Sequence, residues 1–194
     1  DSLPDKFGNA LIQAWLARQG RSEDSFNVID RLCYTGTRGM GALEYEPALK
    51  PESSRSEKLN LEHLVELARE VLTSRETLQV SFQKSRRTAA LNEILRVGTS
   101  AGGARAKAVI AWNPETNEIR SGQAMIPPGF EHWLLKFDGI DNNRDREILA
   151  DPKGYGKIEY AYYLMATDCG IKMSECRLFK EGNRNHFMTR RFDR

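Results

Sequence analysis

From Val97 the chain reads Val97-Gly98-Thr99-Ser100-Ala101-Gly102-Gly103-Ala104-Arg105-Ala106-Lys107-Ala108-Val109-Ile110, a glycine-rich, hydroxyl-bearing turn that opens directly into an apolar strand. Glycine permits positive φ and lets successive N–H groups converge on an anion. Thr99, Ser100, Arg105 and Lys107 add hydroxyl donors and positive charge, so the segment suits a loop that covers phosphate. Further on, His132-Trp133-Leu134-Leu135-Lys136-Phe137 places Lys136 in an otherwise apolar strand. A lysine buried in such a run requires an anionic partner.

The hydrophobic period changes at the same turn. Before it, residues 1–95 read as a mostly helical segment. Phe7, Ala10, Leu11, Ala14, Trp15 and Leu16 form one stripe after Pro4 and Asp5 and stop at Gly20. Ser22 or Ser25 is the expected cap of a second helix carrying Phe26, Ile29, Asp30, Leu32 and Cys33. Ala42 to Pro47 reads as a short strand, Pro51 to Ser56 as a surface loop, and Asn60 as the cap of a periodic helix from Leu61 to Leu72. Another helix is expected from Thr88 to Leu95.

After the turn, residues 96–194 read mainly as strands. Ala106 to Asn113, Glu118 to Gly122, His132 to Phe137, Glu175 to Lys180 and Asn185 to Phe192 have strand character, with turns at Asn113-Pro114-Glu115-Thr116-Asn117 and Glu181-Gly182-Asn183. A long polar excursion, Asp138 to Gly154, leads into a helix with Ile158, Ala161, Tyr162, Met165 and Cys169 along one side, closed by Gly170. That apolar side is expected to pack on the sheet.

A chain of 194 residues with 40% hydrophobic residues can bury a real core, and its net charge of +2 does not mark a nucleic-acid surface. The three cysteines fit neither a disulfide framework nor a zinc site, so a reduced, cytoplasmic setting is expected. No run approaches the roughly 20 apolar residues of a membrane span, and the N-terminus lacks the pattern of a signal peptide. His132 and His186 lack ligand spacing, and no metal site is assigned. With no initiator Met and a strand-like end, the chain reads as a fragment of a longer protein.

The order of glycine-rich turn, strand, hairpin, strand with lysine, helix with an early acid, and two further strands resembles the small lobe of a protein kinase. In that arrangement the loop covers nucleotide phosphates, the strand lysine holds the α and β phosphates, and a helix glutamate holds the lysine. Lys136 and Glu159 take the second and third parts. Each feature has an ordinary structural reading as well: a tight turn, an edge-strand lysine, a solvated glutamate. Thr35-Gly36-Thr37-Arg38-Gly39-Met40-Gly41 is a rival phosphate loop, but acids follow it where an anion site favours bases.

Gly98 to Ala108, Trp133-Leu134-Leu135-Lys136-Phe137, the Glu159-led helix ending Cys169-Gly170-Ile171, and the closing Arg191-Phe192-Asp193-Arg194 together resemble the HipA family of bacterial toxin kinases. Leu3-Pro4-Asp5 and the Gly36 to Pro47 segment resemble the region that precedes the family's kinase core. The resemblance implies an α+β fold, a kinase-like small lobe of mostly antiparallel sheet plus helix behind a helical N-terminal segment. It implies ATP binding through Thr99, Ser100, Ala101, Gly102, Gly103, Lys107, Lys136 and Glu159, with Arg191 and Phe192 at the adenine hinge. Arg190 stands where the family most often has an acid.

The resemblance further implies transfer of the ATP γ-phosphoryl group to serine or threonine of a protein target, an aminoacyl-tRNA synthetase among the candidates. It implies autophosphorylation of the loop at Ser100, with Thr99 beside it as a second acceptor, and a HipB-type helix-turn-helix antitoxin that supplies the DNA contact. The catalytic aspartate and the Mg²⁺ ligands belong to the family's larger lobe, which this sequence does not include, so the chain alone is expected to be inactive. Two other readings remain at this point: a non-catalytic module derived from such a toxin that binds an antitoxin or partner, and an unrelated ATP-dependent ligase.

Overall fold

Asp5 starts the first helix. In the computed structural model, which describes residues 3–49, 58–73, 93–95, 97–98, 105–123, 125–140 and 154–194, its carboxylate accepts the N–H groups of Phe7 and Gly8 at the head of α1 (Lys6–Arg18). Phe7, Leu11, Ile12 and Leu16 are fully buried, and the helix stops before Gly20 as its stripe predicts. Trp15 packs on Phe26 and Tyr34, with ring centroids 5.7 and 5.3 Å away.

The second helix differs from expectation. Neither Ser22 nor Ser25 caps it; Asn27 does, accepting from Ile29 and Asp30 while the Asp30 carboxylate accepts the Asn27 N–H, so α2 spans Val28–Thr35. This reciprocal cap outcompetes a lone serine because it satisfies donors on both sides of the helix start. Phe26 consequently precedes the helix, in the core, whereas Ile29 is exposed. Residues 42–47 form no strand; they lie in an irregular turn.

Asn60 caps α3 (Leu61–Thr73), accepting the His63 N–H, and Leu64, Val65, Ala68 and Val71 are buried along one side. Of the helix expected from Thr88 to Leu95, residues 93–95 are helical and the rest lies outside the described residues. The Pro51 to Ser56 loop lies outside them as well.

Among the described residues five strands form one antiparallel sheet: β1 (Lys107–Trp112), β2 (Ile119–Ser121), β3 (Glu131–Lys136), β4 (Cys176–Glu181) and β5 (Arg184–Arg190), in the order β2-β1-β3-β5-β4. Alternation assigns the faces. Ala108, Ile110, Trp112, Trp133, Leu135 and Met188 share a core with Phe7, Leu11, Leu64 and Val65, so the N-terminal helices cover one face. The opposite face carries the row Lys107, Lys136, Phe187, Leu178, in which each residue stands across from the next.

Over that second face lies α4 (Tyr155–Asp168), packed against β5 and β4. Its C-terminus is closed by Gly170 at φ +77°, with the Ile171 N–H returning to the Ala166 carbonyl and the Gly170 N–H to Thr167. Those two bonds are the left-handed glycine stop that the sequence predicts. The orientation of α4 is not the one expected. Ile158, Tyr162 and Met165 are half or more exposed, while Glu159, Tyr160 and Tyr163 turn inward. At its start the helix is pressed so hard on β5 that a Cβ at Gly156 would lie 2.0 Å from the Asn185 carbonyl oxygen.

Candidate functional site

Lys136, at the end of β3, meets Glu159 one turn into α4. Its Nζ is 2.5 Å from Oε2 and 5.5 Å from the centroid of the Phe187 ring, the neighbouring side chain in its row. A third of the lysine side chain is still exposed, so the ammonium can face a ligand while held by the carboxylate. The second oxygen, Oε1, accepts from Arg105 Nη1 at 3.2 Å, and the Arg105 guanidinium lies 3.9 Å from the Tyr155 ring centroid. Glu159 therefore joins the approach to the first strand, through Arg105, to the end of the third.

Lys107 stands directly opposite Lys136 on β1. Its side chain is buried and its Nζ lies 3.5 Å from the Asp5 carboxylate, the same group that caps α1. Burial pushes the Lys107 amine below its ordinary value, and Asp5 pulls the other way. This ammonium is thus committed to the N-terminal helix, whereas that of Lys136 reaches solvent.

Past the end of β5, the Arg191 N–H donates to the His132 carbonyl. The buried Arg191 side chain grips Asp193 through two bonds of 2.9 and 2.7 Å, and Asp193 Oδ2 also accepts the Gly41 N–H at 2.7 Å. The guanidinium holds the Asp193 carboxyl far below the usual carboxylate range. Between them Phe192 projects outward, 89% exposed. Arg190 pairs with Glu131 at 3.2 Å.

Of the residues named from sequence, Lys107, Lys136 and Glu159 come together at one end of the sheet. Arg191 and Phe192 lie at the far end of β5. Thr99, Ser100, Ala101, Gly102 and Gly103 lie outside the described residues. Arg105, a positive charge beside the glycine-rich turn in the sequence, is a partner of Glu159, a link its sequence position does not announce. Among the described residues no group of three His, Cys, Asp or Glu side chains could hold a metal ion. No described helix is long and apolar enough to cross a membrane.

Comparison with known families decides the grouping. Residues 99–194 match the HipA-like C-terminal domain, and residues 1–46 match the HipA N-terminal domain. The chain belongs to the HipA family. Neither a curated protein nor a solved structure gave a significant match. Lys136, Glu159 and the Arg191-Phe192-Asp193-Arg194 end all fall inside the HipA C-terminal match, and the Asp5 that pairs with Lys107 falls inside the N-terminal one. The ion pair between Lys107 and Asp5 therefore joins the two HipA regions.

Proposed function

We propose that this HipA-family chain is the nucleotide-binding part of a serine/threonine kinase. The observation that carries the reading is the pair Lys136–Glu159. Lys107 and Lys136 stand opposite one another with Asp5 and Glu159 as carboxylate partners, and the Lys136 ammonium keeps a third of its side chain exposed beyond Glu159. A polyphosphate is the kind of ligand that such a held, exposed ammonium binds. Lys136 takes the α and β phosphates, Glu159 fixes the lysine, and residues 98–104 cover the phosphate chain. Phe192 with the Arg191 backbone forms the adenine edge.

In the reaction, a serine or threonine hydroxyl of the protein substrate attacks the ATP γ-phosphorus, the bond to ADP breaks, and the hydroxyl proton leaves to a base. No residue of this chain is assigned as that base or as a Mg²⁺ ligand. Lys136 and Glu159 bind and orient the nucleotide. The same reading makes Ser100, with Thr99 beside it, the autophosphorylation site, since about two negative charges added there repel the ATP phosphates. A HipB-type antitoxin is the proposed partner, and a translation component such as an aminoacyl-tRNA synthetase the proposed target.

The test is protection of one amine. MgATP is expected to slow acylation of Lys136 about tenfold at saturation, with Lys180 on β4 unaffected and Glu159→Gln weakening the protection. Equal labelling of Lys136 with and without MgATP overturns the reading. Phosphosite mapping of active full-length protein tests the regulatory part, which fails if neither Thr99 nor Ser100 carries phosphate.

A second reading, a partner-binding module without nucleotide chemistry, draws support from the outward face of α4, where Ile158, Tyr162 and Met165 are exposed near Ile171 and Met173. The acylation experiment separates the two, because such a module leaves Lys136 indifferent to MgATP.

A further inference from the structure

The first turn of α4 has no capping side chain of its own. Gly154 occupies the N-cap position at φ +119°, so the orphan N–H groups of the helix start must find an acceptor elsewhere. Asp138, two residues beyond Lys136 on the same strand exit, provides it. Its carboxylate accepts the Gly154 N–H at 2.9 Å through Oδ1 and the Gly156 N–H at 3.4 Å. Asp138 is buried, and its own N–H donates at 2.9 Å to Nδ1 of His186, a fully buried side chain on β5. A carboxylate at a helix N-terminus also gains from the partial positive charge there.

We infer that Asp138, seated by His186, is the positioning residue that holds α4 where Glu159 meets Lys136. The geometry closes a short circuit. From Lys136 the backbone runs two residues to Asp138, its carboxylate reaches Gly156, and three residues of helix, less than one turn, lead to Glu159 and back to Lys136. Gly156, in contact with the Asn185 carbonyl, prevents the helix from sliding inward. Removal of the carboxylate leaves the first turn of α4 free to lift from the sheet, and Glu159 with it. His186 acts one step back, because its Nδ1 fixes the backbone of Asp138. The use of this positioning rests on the nucleotide reading; the circuit itself does not.

The experiment reads Lys136 without nucleotide. Site-resolved acylation of the full chain is followed by mass spectrometry, since an amine gripped by a carboxylate must leave it before it reacts. Glu159→Gln defines the released rate, and Lys180 on β4 serves as the internal reference. The expected order at Lys136 is wild type slowest, Asp138→Asn about twofold faster because a neutral amide accepts less strongly, and Asp138→Ala approaching the Glu159→Gln rate. A merely structural cap lowers Tm and moves Lys180 without this ordering.

Asp138→Ala at the wild-type rate overturns the inference. Where Asp138→Ala does not fold, Asp138→Asn decides alone, and a Lys136 rate equal to wild type overturns it. MgATP protection is scored separately, so loss of nucleotide binding leaves this ranking intact, and a flat ranking refutes the positioning role whether or not ATP binds.

Discussion

Lys107 and Lys136 stand directly opposite one another on β1 and β3, two ammonium-bearing chains on one face of the sheet. Like charges so placed repel. Each is answered by a carboxylate from a different helix: Asp5 at the start of α1 for Lys107, and Glu159 in α4 for Lys136. The repulsion between the lysines is thus converted into two attachments, one to the N-terminal helices and one to the helix over the sheet.

Asp5 has two tasks, so its loss is expected to exceed that of an ordinary cap. Asp5→Ala removes a cap worth about 1 kcal/mol and strands a buried ammonium, for a total of about 3 kcal/mol by urea unfolding. Lys107→Met removes the buried cation together with its need for a partner and is expected to cost under about 1.5 kcal/mol. Equal costs for the two variants exclude the asymmetry and with it the assignment of Lys107 to Asp5.

His186 gives the fold a pH dependence. Burial pushes the imidazole below its ordinary value of 6.5, against the pull of Glu181 and Asp138 and with a small push from Arg184. The unfolded chain therefore binds the proton first, so this contribution to stability is complete above about pH 6.5 and declines as pH falls toward the lower folded value. A proton on Nδ1 also opposes the Asp138 N–H that donates to it. Asp193, held low by Arg191, adds its own loss only below its ordinary value of 3.8. Thermal unfolding between pH 7.5 and 5 is expected to show a falling Tm that flattens in His186→Asn; parallel curves refute the assignment.

The helix stops and the two hairpins were legible because each is written locally. Gly20 and Gly170 stop helices by their own backbone freedom, and the turns at residues 113–117 and 181–183 join neighbouring antiparallel strands. The facing of α4 was not legible. Apolar residues lie on both sides of it, Ile158, Tyr162 and Met165 on one and Tyr160 and Tyr163 on the other, so periodicity offers two stripes. The choice is made by contacts remote in sequence: Glu159 with Lys136, Gly156 with Asn185, and a cap from Asp138, 16 residues before a glycine that has no side chain to announce the helix. The cap of α2 escaped for a smaller reason, since Asn27 and Asp30 cap reciprocally where a serine was favoured by type alone.

Gly156 is expected to be among the least replaceable positions of the sheet layer. Its missing Cβ would fall 2.0 Å from backbone that cannot retreat without breaking the β4–β5 hairpin. Gly156→Ala is therefore expected to cost about 3 kcal/mol or to displace the helix start, whereas Gly170→Ala, which meets no atom within 4 Å and pays only for its left-handed φ, costs about 1 kcal/mol. Equal Tm shifts for the two contradict the close approach.

Phe192 and Arg191 separate binding from folding at the end of β5. Arg191 is buried, and its guanidinium neutralises Asp193, which in turn holds the Gly41 N–H. Arg191→Ala strands that carboxylate and is expected to cost about 2 kcal/mol or more. Phe192 is 89% exposed, so Phe192→Ala is expected to change stability by less than about 0.5 kcal/mol. An aromatic ring left in water beside a buried clamp contributes little to the fold and much to any flat ligand that covers it. With adenine stacked there, Phe192→Ala weakens MgATP binding about tenfold while Tm stays fixed, read by titration of a fluorescent ATP analogue. Unchanged affinity removes Phe192 from the nucleotide site and leaves Lys136 and Glu159 to carry it.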